Sequence, residues 1–176
     1  MSIGRSSAYW SGNRYPDPEA QPDPDAPIKD LPAQAGARFK AVRTGLLRIP
    51  GTVETMRYMG VSWRWTWEYA VGNRKLCWLH VVGTGISATF TLSDMEESRV
   101  RAIPRLSADI AKAVTEAQRT GPVRWCWLEL GDRRAVDGFL SFARRKGQWL
   151  SERPAPHRAG RTKGSTGRHL DDMEAE

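Results

Sequence analysis

Cysteine is scarce in this chain of 176 residues: Cys77 and Cys126 are the only two, each inside an apolar run with no second cysteine at metal-ligand spacing. That excludes a zinc ribbon and a disulfide framework, and both read as buried, reduced thiols of a cytoplasmic protein. Long apolar runs are absent as well. No stretch approaches the roughly 20 apolar residues that a spanning helix needs, and Met1–Arg14 lacks the apolar core of a secretory signal, so no membrane partner is expected. Histidine is the third shortage. His157 and His169 fall in a Gly- and Pro-rich tail, which leaves His80 as the one candidate general base, without an orienting carboxylate on its own side of the strand. Gly83-Thr84-Gly85 is too short to cradle a phosphate and leads into a strand rather than a helix. Glu68, Glu129 and Asp132 show no metal-ligand pattern, and neither cysteine has the electropositive, accessible setting of a catalytic thiolate. No catalytic residue, metal or cofactor is assigned on these grounds, and a non-enzymatic protein is the expectation.

Positive charge is plentiful but uneven. The formal net charge is +7, yet residues 35–151 carry 19 basic against 10 acidic side chains, residues 1–34 carry 3 against 5, and residues 152–176 carry 5 against 5. Composition divides the chain at the same places. Residues 1–34 include the Pro- and Asp-rich run Tyr15 to Pro27, with almost nothing apolar to bury, and are expected to be a disordered leader. Residues 152–176 run from a basic Gly/Pro-rich stretch into the acidic Asp171-Asp172-Met173-Glu174-Ala175-Glu176, and are expected to be a disordered tail whose opposite charges can associate. Residues 35–151 remain as one folded domain.

Within that domain the elements follow from periodicity. Phe39, Val42, Leu46 and Leu47 fall at helical spacing from about Ala35 to Arg48, and Pro50-Gly51 ends the pattern. Ser62 to Val71 alternates as a strand, Gly72-Asn73-Arg74 turns it, Lys75 to Val82 returns, Gly83-Thr84-Gly85 turns again, and Ile86 to Leu92 completes an antiparallel meander. Ser93 and Glu96 have the spacing of a capping box, predicting a helix to about Ile103. A second helix starts near Ser107, with Ile110, Ala113, Val114 and Ala117 as its apolar stripe, and Gly121-Pro122 stops it. Val123 to Leu130 reads as a further strand. Asp132 then caps a closing helix whose Ala135, Val136, Phe139, Leu140 and Ala143 point inward, with Arg144, Arg145 and Lys146 in its last turn. The fold class is α+β, in the order α-β-β-β-α-α-β-α, with the helices on one face of the sheet.

The most informative stretch is Trp63-Arg64-Trp65-Thr66-Trp67-Glu68-Tyr69, where aromatic and polar residues alternate. If Val71 pairs with Leu76, and Val82 with Ile86, one face of the meander collects Trp65, Trp67, Tyr69, Trp78, His80, Val82, Ala88, Phe90 and Leu92. That face is either the filled core beneath the helices or, in part, a slot for a small apolar or aromatic ligand lined by Trp65, Trp67, Trp78 and His80. A one-residue change in a turn would move His80 to the other face. Binding of a protein partner is the other role such a face can serve. The alternative is a nucleic-acid accessory role in which Arg133, Arg134, Arg144, Arg145 and Lys146 meet phosphates, although such a run also serves as a plain solvated helix face.

Motif order supplies a resemblance. Met59-Gly60-Val61-Ser62-Trp63, Trp67-Glu68-Tyr69, Lys75-Leu76-Cys77, Phe90-Thr91-Leu92, Leu106-Ser107 and Gly121 through Glu129, followed by the helix to Lys146, resemble the bacterial and archaeal domain-of-unknown-function family numbered 3788, over about residues 36–150. The resemblance implies a small α+β domain with no assigned activity. It therefore carries no catalytic or binding residue onto this chain.

Overall fold

A computed structural model describes residues 5–152. The short helix α1 (Ser7–Ser11) and α2 (Ala26–Asp30) precede α3 (Ala33–Leu47), and β1 (Thr52–Tyr58) and the one-turn α4 (Gly60–Trp63) lead into the meander β2 (Trp65–Val71), β3 (Arg74–Val82) and β4 (Gly85–Ser93). Helices α5 (Asp94–Arg101) and α6 (Ala108–Thr115), the strands β5 (Gln118–Thr120) and β6 (Val123–Glu129), and the long α7 (Arg133–Ser151) complete the α+β fold. The six strands form one antiparallel sheet in the order β1-β2-β3-β4-β6-β5.

Every helix and strand read from periodicity is present, although Ser62 and Trp63 fall in α4 and the strand expected from Ser62 starts only at Trp65, and the two caps hold as expected. Ser93 accepts from the Glu96 N–H while Glu96 accepts from the Ser93 N–H, and Asp132 accepts from the Ala135 N–H. Strand β1 escaped notice because its half-buried side carries Thr52, Glu54, Met56 and Tyr58, a mixed set with no apolar alternation. Glu54 is tolerated there because Arg43 of α3 meets it at 2.8 Å. Helix α7 runs to Ser151, so Arg144, Arg145 and Lys146 lie inside it rather than in its last turn.

The first face of the sheet is the main core. Trp67, Tyr69, Cys77, Leu79, Val81, Ala88, Phe90, Leu92 and Cys126 pack there against Phe39, Val42 and Leu46 of α3 and Phe139 and Phe142 of α7. Glycine lets the two helices approach closely. A Cβ at Gly45 would stand 2.6 Å from Leu140, and one at Gly147 would stand 2.5 Å from Ile49, so each helix presents bare backbone to its neighbour.

Strand β3 is turned over relative to the expected register. In the first hairpin Val71 pairs with Arg74 across a two-residue turn, and a bulge then makes Tyr69 face Cys77 and Trp67 face Leu79. Leu76 is the extra residue, which is why both Leu76 and Cys77 are buried in the core. In the second hairpin Val82 pairs with Gly85 across Gly83-Thr84, so His80 faces Ser87 and Trp78 faces Thr89. Gly83 takes φ +60, the conformation that a tight hairpin places on glycine. The net shift beyond the bulge in the first hairpin, and the shift in the second, is one residue each, and one residue exchanges the faces. Trp67, Tyr69, Ala88, Phe90 and Leu92 remain together as expected, while Trp78 and His80 move to the opposite side.

The leader is the second correction. Although rich in proline and acid, residues 5–34 are built into the domain. Residues 12–14 lie between the separated ends of β2 and β3: the Gly83 N–H donates to Gly12, the Arg14 N–H donates to Val81, and the Asn13 amide donates to the Trp63 carbonyl at 2.7 Å. Trp10 is buried on one face of the sheet, while on the other Trp65 and Trp67 donate their indole N–H groups to the carbonyls of Asp17 and Pro24. Proline favours this role. A segment fixed in extended conformation loses little entropy on docking, and its carbonyls remain free to accept. The expected tail, apart from Glu152, lies outside the described residues.

Candidate binding surface

The second face of the sheet carries an aromatic layer of its own. Trp78 and His80 of β3 and Trp125 and Trp127 of β6 rise from the sheet, and Trp63 reaches them from α4. The turn of α4 is bounded by Gly60 at φ +77 and by Arg64 at φ +57, a conformation that costs a residue with a side chain about 1–3 kcal/mol. Holding Trp63 over the sheet is what that strain accomplishes. Its ring centre lies 4.7 Å from His80 and 5.9 Å from Trp125, both edge to face, while Trp78 and Trp125 stack at 5.6 Å.

Tyr9 and Trp10 of α1 close the layer. The Trp10 indole stands edge-on to His80 at 4.8 Å and lies 5.7 Å from Trp63. Tyr9 packs on Trp127 and donates its hydroxyl to Ser87, and the Arg5 guanidinium sits 3.8 Å above the Trp127 ring. Two buried polar atoms in this layer have no partner among the described residues, Trp10 Nε1 and His80 Nδ1. Native interiors rarely leave such atoms unpaired, so their concentration here is notable.

Burial holds His80 of this layer and the two thiols of the core in their neutral forms at neutral pH. Burial lowers the His80 pKa to about 3, leaving the ring neutral with Nε2 2.8 Å from Thr89 Oγ1. Burial pushes the Cys77 thiol far up and raises Cys126 to about 12, so both stay protonated, as their apolar runs predicted. Glu68, on the same face, is occupied: it accepts from Arg57 and Lys75 at 2.8 and 2.6 Å and from the Trp78 indole at 3.1 Å. No group of three or more metal-ligating side chains forms among the described residues.

The four residues expected to line one slot are therefore divided. Trp65 and Trp67 belong to the first face, where Phe39 fills the space beside Trp67 at 5.2 Å, and Trp78 and His80 belong to the second. Sequence reasoning missed Trp10, Trp63, Trp125 and Trp127 as their companions. The signals were present in the Gly83-Thr84 turn, whose two-residue form sets the face of His80, and in Tyr9-Trp10, too apolar a pair for a solvated leader. The basic set divides too. Arg133, Arg134, Arg144 and Arg145 are exposed on α7, whereas Lys146 is buried and donates to the Thr91 carbonyl and to Glu96, which removes it from any phosphate-binding surface. Among the described residues no helix is long and apolar enough to cross a membrane. No family model, curated protein or solved structure matches this chain.

Proposed function

We propose that this is a non-enzymatic binding domain of the cytoplasm whose recognition surface is the second-face aromatic layer, and that it takes a flat aromatic group from a small ligand or a partner's side chain. The observation that carries this reading is the seat of Trp10. Its ring occupies a slot between His80 and Trp63 while Trp10 Nε1 and His80 Nδ1 both stay buried without a partner. A heteroaromatic ring bearing its own donor and acceptor would fill the same slot and pair with His80, which the indole leaves unpaired. The strained Arg64 backbone supports the reading, because strain concentrates where a geometry is held for binding. The resemblance to the family numbered 3788 is compatible with it but supplies no site residue.

The test combines native mass spectrometry of gently purified protein with titration by free indole. Trp10→Ala removes the resident ring and should bind indole at least about tenfold more tightly than the full chain, a difference of about 1.4 kcal/mol. Adding His80→Gln to it should abolish that gain in a protein that remains folded by circular dichroism. The reading is overturned by an apo mass for the native protein together with indole affinity that His80→Gln does not change.

A further inference from the structure

A hollow of about 430 Å³, sharing no lining residue with the aromatic layer, lies where the end of α3 meets α7, and it is mainly apolar. Arg48, Ile49 and Pro50 form one wall, and Arg144, Gly147 and Ser151 the other. None of the ion pairs among the described residues uses Arg48 or Arg144. Two unpaired cations beside an apolar floor select an acidic segment with intervening apolar side chains.

We infer that the occupant is this chain's own segment His169–Glu176. Its sequence, His169-Leu170-Asp171-Asp172-Met173-Glu174-Ala175-Glu176, places Leu170 and Met173 among four carboxylates, the complement of the hollow. The connection is short. Helix α7 ends at Ser151, itself a lining residue, so residues 152–168 need only loop back to the rim they leave. Closing a loop of that size costs little more than a tight one, and tethering presents the segment at an effective concentration in the millimolar range. The basic stretch Arg153 to Arg168 competes for the same carboxylates, but it offers no apolar floor for Leu170 and Met173. The inference is independent of the aromatic layer, and neither stands or falls with the other.

A spin label on Ala175→Cys in the full chain tests it, since the native thiols Cys77 and Cys126 are buried and stay unlabelled. At low salt the label should broaden the amide signals of Arg48, Gly147 and Ser151. The broadening should vanish at about 1 M salt, where screening acts within about 3 Å. Arg48→Glu with Arg144→Glu, both at exposed positions, should also abolish it, and Asp171→Lys with Asp172→Lys on that background should restore it. Unbroadened signals at low salt would overturn the inference, as would broadening confined to residues 153–168. Broadening seen only between labelled and isotope-enriched molecules in a mixture would also overturn it, assigning the hollow to a second copy.

Discussion

Glu68 and Trp78 stand opposite each other on β2 and β3, and the Glu68 carboxylate accepts the Trp78 indole N–H at 3.1 Å. This pairing exists only because the Leu76 bulge turns β3 over, and it ties a charged position to the aromatic layer. Burial raises the affinity of the Glu68 carboxyl for a proton, but donation from Lys75, Arg57 and Trp78 outweighs it and holds the group below its ordinary value. Glu68→Gln keeps an acceptor for Trp78 and loses ion pairs whose cations are half exposed, so it should cost no more than about 1 kcal/mol. Glu68→Leu strands the buried indole N–H and should cost about 1–3 kcal/mol. Urea unfolding of the two variants checks the order. Equal, small losses would mean that the indole bond contributes nothing.

His80 sets an acid limit on stability. Its pKa falls from an ordinary 6.5 to about 3 on folding because burial disfavours the imidazolium. The unfolded chain therefore binds a proton that the folded chain refuses. The associated stability is fully present above pH 6.5 and is lost as pH falls toward 3, by up to about 1.4 kcal/mol per pH unit. Glu68 and Glu96 lie below the ordinary glutamate value of 4.5 and surrender their contribution only below it, so the interval from 6.5 to 4.5 reports His80. His80→Gln should flatten the melting temperature across that interval. A wild-type curve already flat there would show that His80 is protonated without penalty.

Lys146 contributes as a buried cation rather than as a surface one. Its ammonium meets the Thr91 carbonyl at 2.8 Å and Glu96 at 2.9 Å, joining α7 to the end of β4 and the start of α5. Burial lowers its pKa, and Glu96 opposes that effect. Lys146→Met leaves Glu96 without its cation and should destabilise the fold by about 3 kcal/mol or more. The double variant Lys146→Met with Glu96→Gln should recover much of that loss. A double-mutant cycle by chemical denaturation measures the coupling. Additive losses would mean that the pair does not act as a unit.

Where the sequence was legible, local chemistry decided the structure. The Ser93–Glu96 box, the Asp132 cap and the apolar stripe of α7 require only neighbours along the chain, and all three form as expected. Features decided by one residue in a turn or bulge were not legible. The meander's alternation is equally strict in either register, and Leu76-Cys77 reads as continuous strand until the bulge is seen. The leader failed for a different reason. Proline and aspartate argue against a core of its own, but they do not prevent a segment from covering somebody else's core with Trp10, Tyr15 and Leu31. Tertiary burial, absent from local composition, settled both outcomes.

Trp10 and Trp67 are both nearly inaccessible, at 1% and 0% exposure, yet their removal should have different consequences. Trp67 lies between Phe39 of α3 and Tyr15, at the centre of the first-face core. Trp67→Ala should cost about 3–5 kcal/mol, a large share of the stability of a domain this size, and should lower the global unfolding midpoint or unfold the chain outright. Trp10 belongs to a segment held by its own ring, by Tyr9 against Trp127 and Ser87, and by the bridge from Gly12 to Arg14. When the ring is removed the segment can detach alone, so the global loss is capped at its docking free energy. Trp10→Ala should therefore speed hydrogen exchange at the Arg14 and Gly83 amides far more than at Leu79 or Phe90. If exchange accelerates equally throughout the sheet, residues 5–14 are an integral part of the core, and the slot under Trp10 cannot open without unfolding the domain.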